Sequence, residues 1–342
     1  MKRFVTPLLG LASLCLLAPG LTSCVNEWPH PEYRLYDVTL KFHCDTDWLP
    51  DYAMVYTREE GLEIGYQIKL YKSGETDSPV WQTTVFTADF NRPDFTLDVS
   101  LYPGDYDVYV WSDVYDVATG KSIYYDSSNF AKITYTTPYV GDTNYKDAVR
   151  GSHSFTIENT MYLHPTATEV VNLERPLARY MFVATDLSDF IDNELTRGKM
   201  RGLDTRQGEA HPLTRELEEE LSHYTVKIIY PLYMPAVFDN FTDKPIDSWT
   251  DVSFEAKIIP QNEEEATLGF DYVMVNNTES AVQVAMEIYD EEGTKIGSTA
   301  TILISTLRDR TTLVYGRFLT SQEDAGVTID PDFAGQFNIQ YK

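Results

Sequence analysis

Beyond residue 35 the chain is dominated by period-two alternation of apolar and polar side chains. Tyr36, Val38, Leu40 and Phe42 fall on one face, with Asp37, Thr39, Lys41 and His43 on the other, the signature of a half-buried β-strand. Similar runs recur at 65–71, 80–86, 95–99, 106–111, 131–135 and 152–157, with a Pro103-Gly104 turn ahead of the run at 106–111. A second series is predicted at 178–185, 224–233, 252–259, 267–275, 281–289, 295–305 and 311–318. Asn276-Asn277 and Glu292-Gly293 supply turn chemistry between neighbours.

Helical spacing is rare. Ser188 can cap a short helix through Leu195. Leu213, Leu217 and Leu221, four residues apart among glutamates, predict a brief amphipathic helix. Residues 196–211 carry no apolar period and read as a loop. Many short strands with frequent turn signals predict an all-β protein of two antiparallel β-sandwich domains in tandem, with short helices in the second. The expected organisation is a targeting segment at 1–23, a tether at 24–34, an N-terminal sandwich at 35–174 and a C-terminal sandwich at 175–342. Phe333, Phe337, Ile339 and Tyr341 keep strand patterning almost to the terminal Lys342. Such an end expects a sheet to pair with, its own or a neighbour's.

The N-terminus reads as an address. Lys2 and Arg3 precede an apolar stretch too short to span a bilayer, which ends in Leu21-Thr22-Ser23-Cys24. This order matches a bacterial lipoprotein signal, with Cys24 as the acylated first residue of the mature chain. Fatty chains such as palmitate on Cys24 would hold the protein at a membrane, each buried CH₂ contributing about 0.8 kcal/mol.

Composition removes several classes. Fifty-three acidic against 27 basic side chains give a net charge of −26, which repels a polyanion, so nucleic acid is not an expected partner. Three cysteines, of which Cys15 and Cys24 lie in the targeting region, exclude a disulfide framework and leave Cys44 as a buried small hydrophobe. No phosphate-binding, dinucleotide, zinc-protease, nucleophile-elbow or EF-hand pattern is present. His43 and Cys44 are adjacent strand residues facing opposite ways and cannot form a dyad. Asp45/Asp47, Asp105/Asp107 and Glu263/Glu264/Glu265 have the oxygen chemistry of Ca²⁺ ligands, but solvated turns account for them, and no cofactor, metal or catalytic residue is expected.

Three features converge on a known group. The Cys24 lipobox, the paired β-rich blocks and the junction Leu173-Glu174-Arg175-Pro176-Leu177-Ala178-Arg179-Tyr180 resemble fimbrillin-like lipoproteins of the Bacteroidota, in which an R-P-x-A-[K/R] junction opens the second domain. The tail, with Gly316-Arg317-Phe318-Leu319-Thr320 and Gly326-Val327-Thr328-Ile329-Asp330-Pro331-Asp332-Phe333, resembles the ending of that group. The resemblance implies transthyretin-like sandwiches and a non-enzymatic role as anchor, shaft or tip subunit of a surface fimbrium (pilus). Partners would be other fimbrial subunits joined by β-strand addition, the outer membrane through lipid on Cys24, and a host or bacterial surface ligand. Shaft subunits of the group lose their lipidated end to an Arg-specific protease. Arg34 is a possible cleavage position, although a cut there leaves the strand at 36–42 attached; Arg58 and Arg150, in expected loops, are others. Phe333, Phe337, Ile339 and Tyr341 are the candidate donor-strand or assembly residues. The alternative is a surface glycan-binding lipoprotein presenting Trp81, Trp111 or Trp249 as stacking platforms.

Replacing the acylated residue tests the address directly. Cys24→Ser is expected to abolish incorporation of radiolabelled palmitate and move the protein from the membrane to the soluble fraction. Retention of label would place the acyl group elsewhere.

Overall fold

The computed structural model describes residues 34–44, 61–159, 167–200, 212–276, 279–320, 327–329 and 337–341. The first block contributes β1 (Tyr36–Cys44), β2 (Leu62–Lys72), β3 (Trp81–Thr87), β4 (Phe95–Leu101) and β5 (Gly104–Asp116). It continues with β6 (Lys121–Ser122), β7 (Tyr125–Asp126), β8 (Ile133–Tyr135), β9 (Val149–Ile157) and β10 (Ala167–Glu174). The second opens with β11 (Leu177–Ala184), α1 (Leu187–Thr196), α2 (Arg215–Ser222), β12 (Thr225–Tyr230), β13 (Met234–Asp239) and β14 (Lys244–Trp249). Then come β15 (Val252–Lys257), β16 (Ile259–Pro260), β17 (Ala266–Met274), β18 (Glu279–Tyr289) and β19 (Lys295–Ser298). The chain finishes with β20 (Ile302–Leu307), β21 (Thr311–Gly316), β22 (Val327–Ile329) and β23 (Phe337–Tyr341). Among the described residues the fold is all-β with two short α-helices, both in the second block.

In the first block one sheet runs β3-β2-β5-β9-β10-β1-β4, with β6 added to β5. It curls so that the inward residues of β1 (Val38, Leu40, Phe42) share a core with those of β2 (Ile64, Tyr66, Ile68, Leu70) and β5 (Tyr106, Val108, Val110). The alternation read from Tyr36 to Phe42 is the cause: those side chains are buried while Asp37, Lys41 and His43 stay exposed. The second block stacks two sheets, β16-β17-β11-β21-β23-β22 and β15-β12-β18-β19 with β20 added to β18. Ladders among the described strands are antiparallel except β1–β10, β11–β21 and β21–β23, which are parallel.

A fourth, small sheet, β14-β13-β8-β7, draws two strands from each block. Beyond Val110, β5 buries both faces, and Trp111 points away from the first core into the second, beside Tyr125, Phe130, Ile133 and Tyr135. Its Nε1 donates to the buried Asp113 at 2.7 Å. Burial pushes the Asp113 carboxyl up to about 7 against the easing of Ser122, Trp111 and Arg92.

Several sequence expectations needed revision. The 224–233 run breaks at Pro231, giving β12 and, after a corner, β13; the 295–305 run divides into β19 and β20. β10, β13 and β14 were not anticipated. The cap of α1 is Asp186, not Ser188, and its carboxylate serves another segment described below. α2 begins at Arg215, capped by Thr214 Oγ1 accepting from Leu217 N at 3.2 Å, and buries Leu217 and Leu221 while Leu213 stays outside it, exposed. The Glu292-Gly293 turn is present, with Gly293 at φ +73° as that turn requires. Gly269 is a second required glycine. It sits at φ +122° opposite Phe182, where β11 and β17 slip register, and a β-carbon there would lie 2.6 Å from that of Ala256.

The blocks are joined by buried polar pairs as well as by apolar packing. Lys146 Nζ lies 2.6 Å from Asp271 Oδ1, with both side chains essentially inaccessible to water. Tyr139 and Tyr230 hydroxyls donate to Asp271 Oδ2 at 2.5 and 2.6 Å, and the Lys146 ammonium sits 3.9 Å from the Tyr139 ring centre. Burial pulls Lys146 down to about 8 against the attraction of Asp271. Asn240 Nδ2 adds a bond to Val110 O at 3.1 Å, and Tyr135 donates to Tyr272 O at 3.2 Å.

Breaking a buried pair strands its partner's charge. Lys146→Met is therefore expected to lower the unfolding free energy by about 3–5 kcal/mol in urea titration. A loss below about 1 kcal/mol, the range of an exposed pair, would contradict the buried geometry.

Candidate assembly interface

The residues singled out in the sequence fall in three places. Cys24, Arg58, Phe333 and the pair Asp45/Asp47 lie outside the described residues. Arg34 immediately precedes β1, half-buried, its guanidinium 5.9 Å from the Tyr36 ring centre. The strand that follows is embedded between β10 and β4 through seven residue pairs on each side, so a cut at Arg34 leaves it in the fold. Arg150 is a correction: it belongs to β9, is 4% exposed, and bonds Asn240 Oδ1 at 3.0 Å. A protease cannot reach it without unfolding the strand.

Phe337, Ile339 and Tyr341 are brought together in β23. That strand runs parallel to β21, with Phe337 opposite Thr312 and Ile339 opposite Val314, and antiparallel to β22, with Tyr341 opposite Val327. Its neighbour is unusual for a strand this close to a sheet edge. Thr311, Thr312, Leu313 and Val314 of β21 are all buried. Val314 faces the main core, whereas Leu313 packs on the opposite face with Met181, Val183 and Phe270. One side of β21 is hydrogen-bonded to β11 through six residue pairs. Among the described residues, the other is completed by β23 through four residue pairs.

The point from which the terminal segment departs is clamped. Asp186, at the start of α1, accepts from Thr320 N at 2.8 Å, Thr320 Oγ1 at 2.6 Å and Leu319 N at 3.3 Å. Arg317 donates to Asp189 Oδ2 at 2.7 Å, while Phe318 and Leu319 are buried in the second core. The Gly316–Thr320 motif is thus a docking element for the root of the tail.

The junction motif has a comparable role. Arg175 grips Asp147 through Nε and a terminal nitrogen, at 2.5 and 2.9 Å, with both side chains buried. Pro176 O accepts from Val275 N at 3.1 Å, Ala178 is fully buried, and the Arg179 guanidinium lies 4.1 Å from the Phe270 ring centre. Arg308 Nε donates to Arg175 O at 2.8 Å and its Nη1 to Asp243 at 2.8 Å.

Reactive chemistry is sparse around these elements. Cys44 is buried and its thiol is pushed up by burial, which makes it a poor nucleophile. His43 faces the other way and bonds Asp94 at 2.8 Å. Asp105 and Asp107 accept from Thr156 and Ser154 hydroxyls at 2.7 and 2.6 Å, and Glu264 and Glu265 belong to a turn closed by Asn262. Among the described residues, no group of three His, Cys, Asp or Glu side chains could hold a metal ion, and no helix is long and apolar enough to cross a membrane. Trp111 is fully buried; Trp81 and Trp249 are half-buried, one against each core.

A curled sheet, a stacked pair of sheets, a clamped tail root and a self-paired β23 define the class of protein, an all-β chain. A family model described as a family of unknown function, DUF6562, matches residues 34–342, and the chain belongs to that family. No curated protein matches it. Solved structures to which it is similar include the C-terminally truncated tip fimbrial protein Mfa3 of Porphyromonas gingivalis, at 9% identity and TM-score 0.40, covering 90% of this chain and 99% of that one. The fimbrial anchor protein Mfa2 of the same organism is 8% identical, with TM-score 0.37 and coverage of 78% and 82%. A fimbrial assembly protein of Parabacteroides distasonis is 10% identical, with TM-score 0.38 and coverage of 82% and 91%. These are fimbrial proteins of the Bacteroidota.

Proposed function

We propose that the protein is a non-enzymatic, lipid-anchored subunit of an outer-membrane fimbrium, serving as its anchor or as a structural or adhesin subunit, and that it joins its neighbours by β-strand addition. The observation that carries this reading is the state of β21. A strand largely buried on both faces has one hydrogen-bonding edge paired by β23, through four of its six residues. A terminal strand can leave without unthreading the rest of the fold, and a strand of a partner can take its place, main-chain bonds supplying affinity and alternate side chains supplying selectivity.

Supporting features are the Cys24 lipobox with its basic and apolar prelude, which suits an acylated surface protein, and the tail root fixed by Asp186, which gives a strand leaving the sheet a defined point of departure. The buried pairs Arg175–Asp147 and Lys146–Asp271 tie residues of the first block to the second, so that a pull on one is passed to the other. The division into blocks at residues 174 and 175 belongs to this reading, with the sheet of β7, β8, β13 and β14 spanning it. With the first strand embedded beyond Arg34, cleavage at that residue would free the lipid without opening a groove in the first block, which favours an anchor that keeps its N-terminus.

Removing residues 333–342 is expected to leave a folded, secreted protein that no longer enters fimbriae, measured by immunogold labelling and by the subunit ladder on non-boiled gels. Normal incorporation of the truncated chain would overturn assembly through the terminal strand.

A further inference from the structure

At the corner between β12 and β13, the outer strand β14 closes one side of a cleft of about 470 Å³, lined by Tyr233, Pro235, Ile246, Asp247, Asn276 and Ser280, among others. Its apolar members are unusually open to water. Tyr233 is 70% exposed, Ile246 45%, and Leu232, next to Tyr233 in the chain, 50%. Exposed apolar side chains rimmed by polar groups mark a binding surface, and here Tyr233 and Ile246 share an open cleft with Asp247, Ser248, Asn276 and Ser280.

The occupant follows by elimination and by chemistry. β14 is the end strand of its sheet, yet it is ill suited to receiving another strand. Pro245, its second residue, has no N–H, and the β13–β14 ladder slips register at Pro235/Val237 and again at Val237/Phe238; proline and bulges are the devices that blunt an edge. An anion is also unsuited, because neither Lys nor Arg lines the cleft and Asp247 is the charged residue that does, on a chain of net charge −26. What remains complementary is a neutral molecule with flat C–H faces for an aromatic ring and many hydroxyls for small polar groups. Asp247 Oδ1 accepts from Ser248 N at 2.8 Å, which sets the carboxylate's orientation before any ligand arrives.

We propose that this cleft binds a neutral oligosaccharide, a sugar ring stacking on Tyr233 and its hydroxyls bonding to Asp247, Ser248, Asn276 and Ser280. The platform is Tyr233 and none of the three tryptophans: Trp249, in the same strand as Ile246 and Asp247, packs on the core beside Tyr135, and the cleft lies on a different sheet from the β21 edge. The site does not depend on strand exchange, and it stands or falls separately from it.

The test uses the full chain against maltohexaose, cellohexaose, xylohexaose and mannohexaose, with hexagalacturonate as the acidic probe, by saturation-transfer NMR and titration calorimetry. At least one neutral hexasaccharide is expected to bind, Tyr233→Ala to weaken it by about tenfold or more, and Tyr233→Phe to keep most of the affinity. Trp81→Ala, remote from the cleft, is expected to leave binding unchanged. The exposure of Tyr233 makes loss of fold an unsuitable explanation, and circular dichroism of the variants checks it. Absence of binding to all four neutral probes, binding confined to hexagalacturonate, or equal affinity in Tyr233→Ala would overturn the proposal.

Discussion

A strand buried on both faces must have both hydrogen-bonding edges filled, and that constraint governs the second block. An unpaired backbone group inside a protein costs about 1–3 kcal/mol, so an open side on β21, with Thr312, Leu313 and Val314 withdrawn from water, is destabilising. β11 satisfies one edge in parallel register. The other is met by β23, the last element of the chain. The same demand that makes the terminal strand stay makes its vacated place a strong receptor for a strand of similar pattern, which is how a stability requirement becomes an assembly device.

Such a device needs a rigid mount, and the interlock between the blocks supplies one. β5 presents Val110 to the first core and Trp111 to the second, so one strand belongs to both. Around it the buried charges are paired across the junction, Arg175 with Asp147 and Lys146 with Asp271, each in a setting where hydrogen bonds satisfy the partners. Pairs of this kind contribute little net stability over an apolar substitute, but they penalise any arrangement that separates them. They therefore specify how the blocks sit.

The all-β class, the placement of both helices in the second block and most strand positions were legible from alternation alone, because one buried face imposes period two. What escaped did so for physical reasons. β10 carries Val170 outward and Val171 inward, so an exposed valine masked the alternation. β13 and β14 contain Pro235 and Pro245, residues that argue against a strand and are tolerated here because the sheet is small, irregular and has β14 as its edge. Arg150 looked like a loop arginine since nothing local announces that its partner is Asn240, ninety residues away. For the assembly interface, the strand patterning of Phe337, Ile339 and Tyr341 was visible. That its acceptor is β21, in parallel register, was not, because a register between distant segments is decided by tertiary contact. Tyr233 carried no signal at all; an exposed tyrosine beside a proline corner reads as ordinary surface.

The edge of β21 becomes free when β23 departs, and hydrogen–deuterium exchange reads that edge residue by residue. In the chain lacking residues 333–342, the alternate amides of Thr312–Tyr315 that face β23 are expected to lose protection, while those that face β11 and those of β12 and β18 keep theirs. A synthetic peptide of residues 333–342 should then restore protection at β21. Unchanged slow exchange across Thr312–Tyr315 after the truncation would show that another element holds that edge, and would contradict the account.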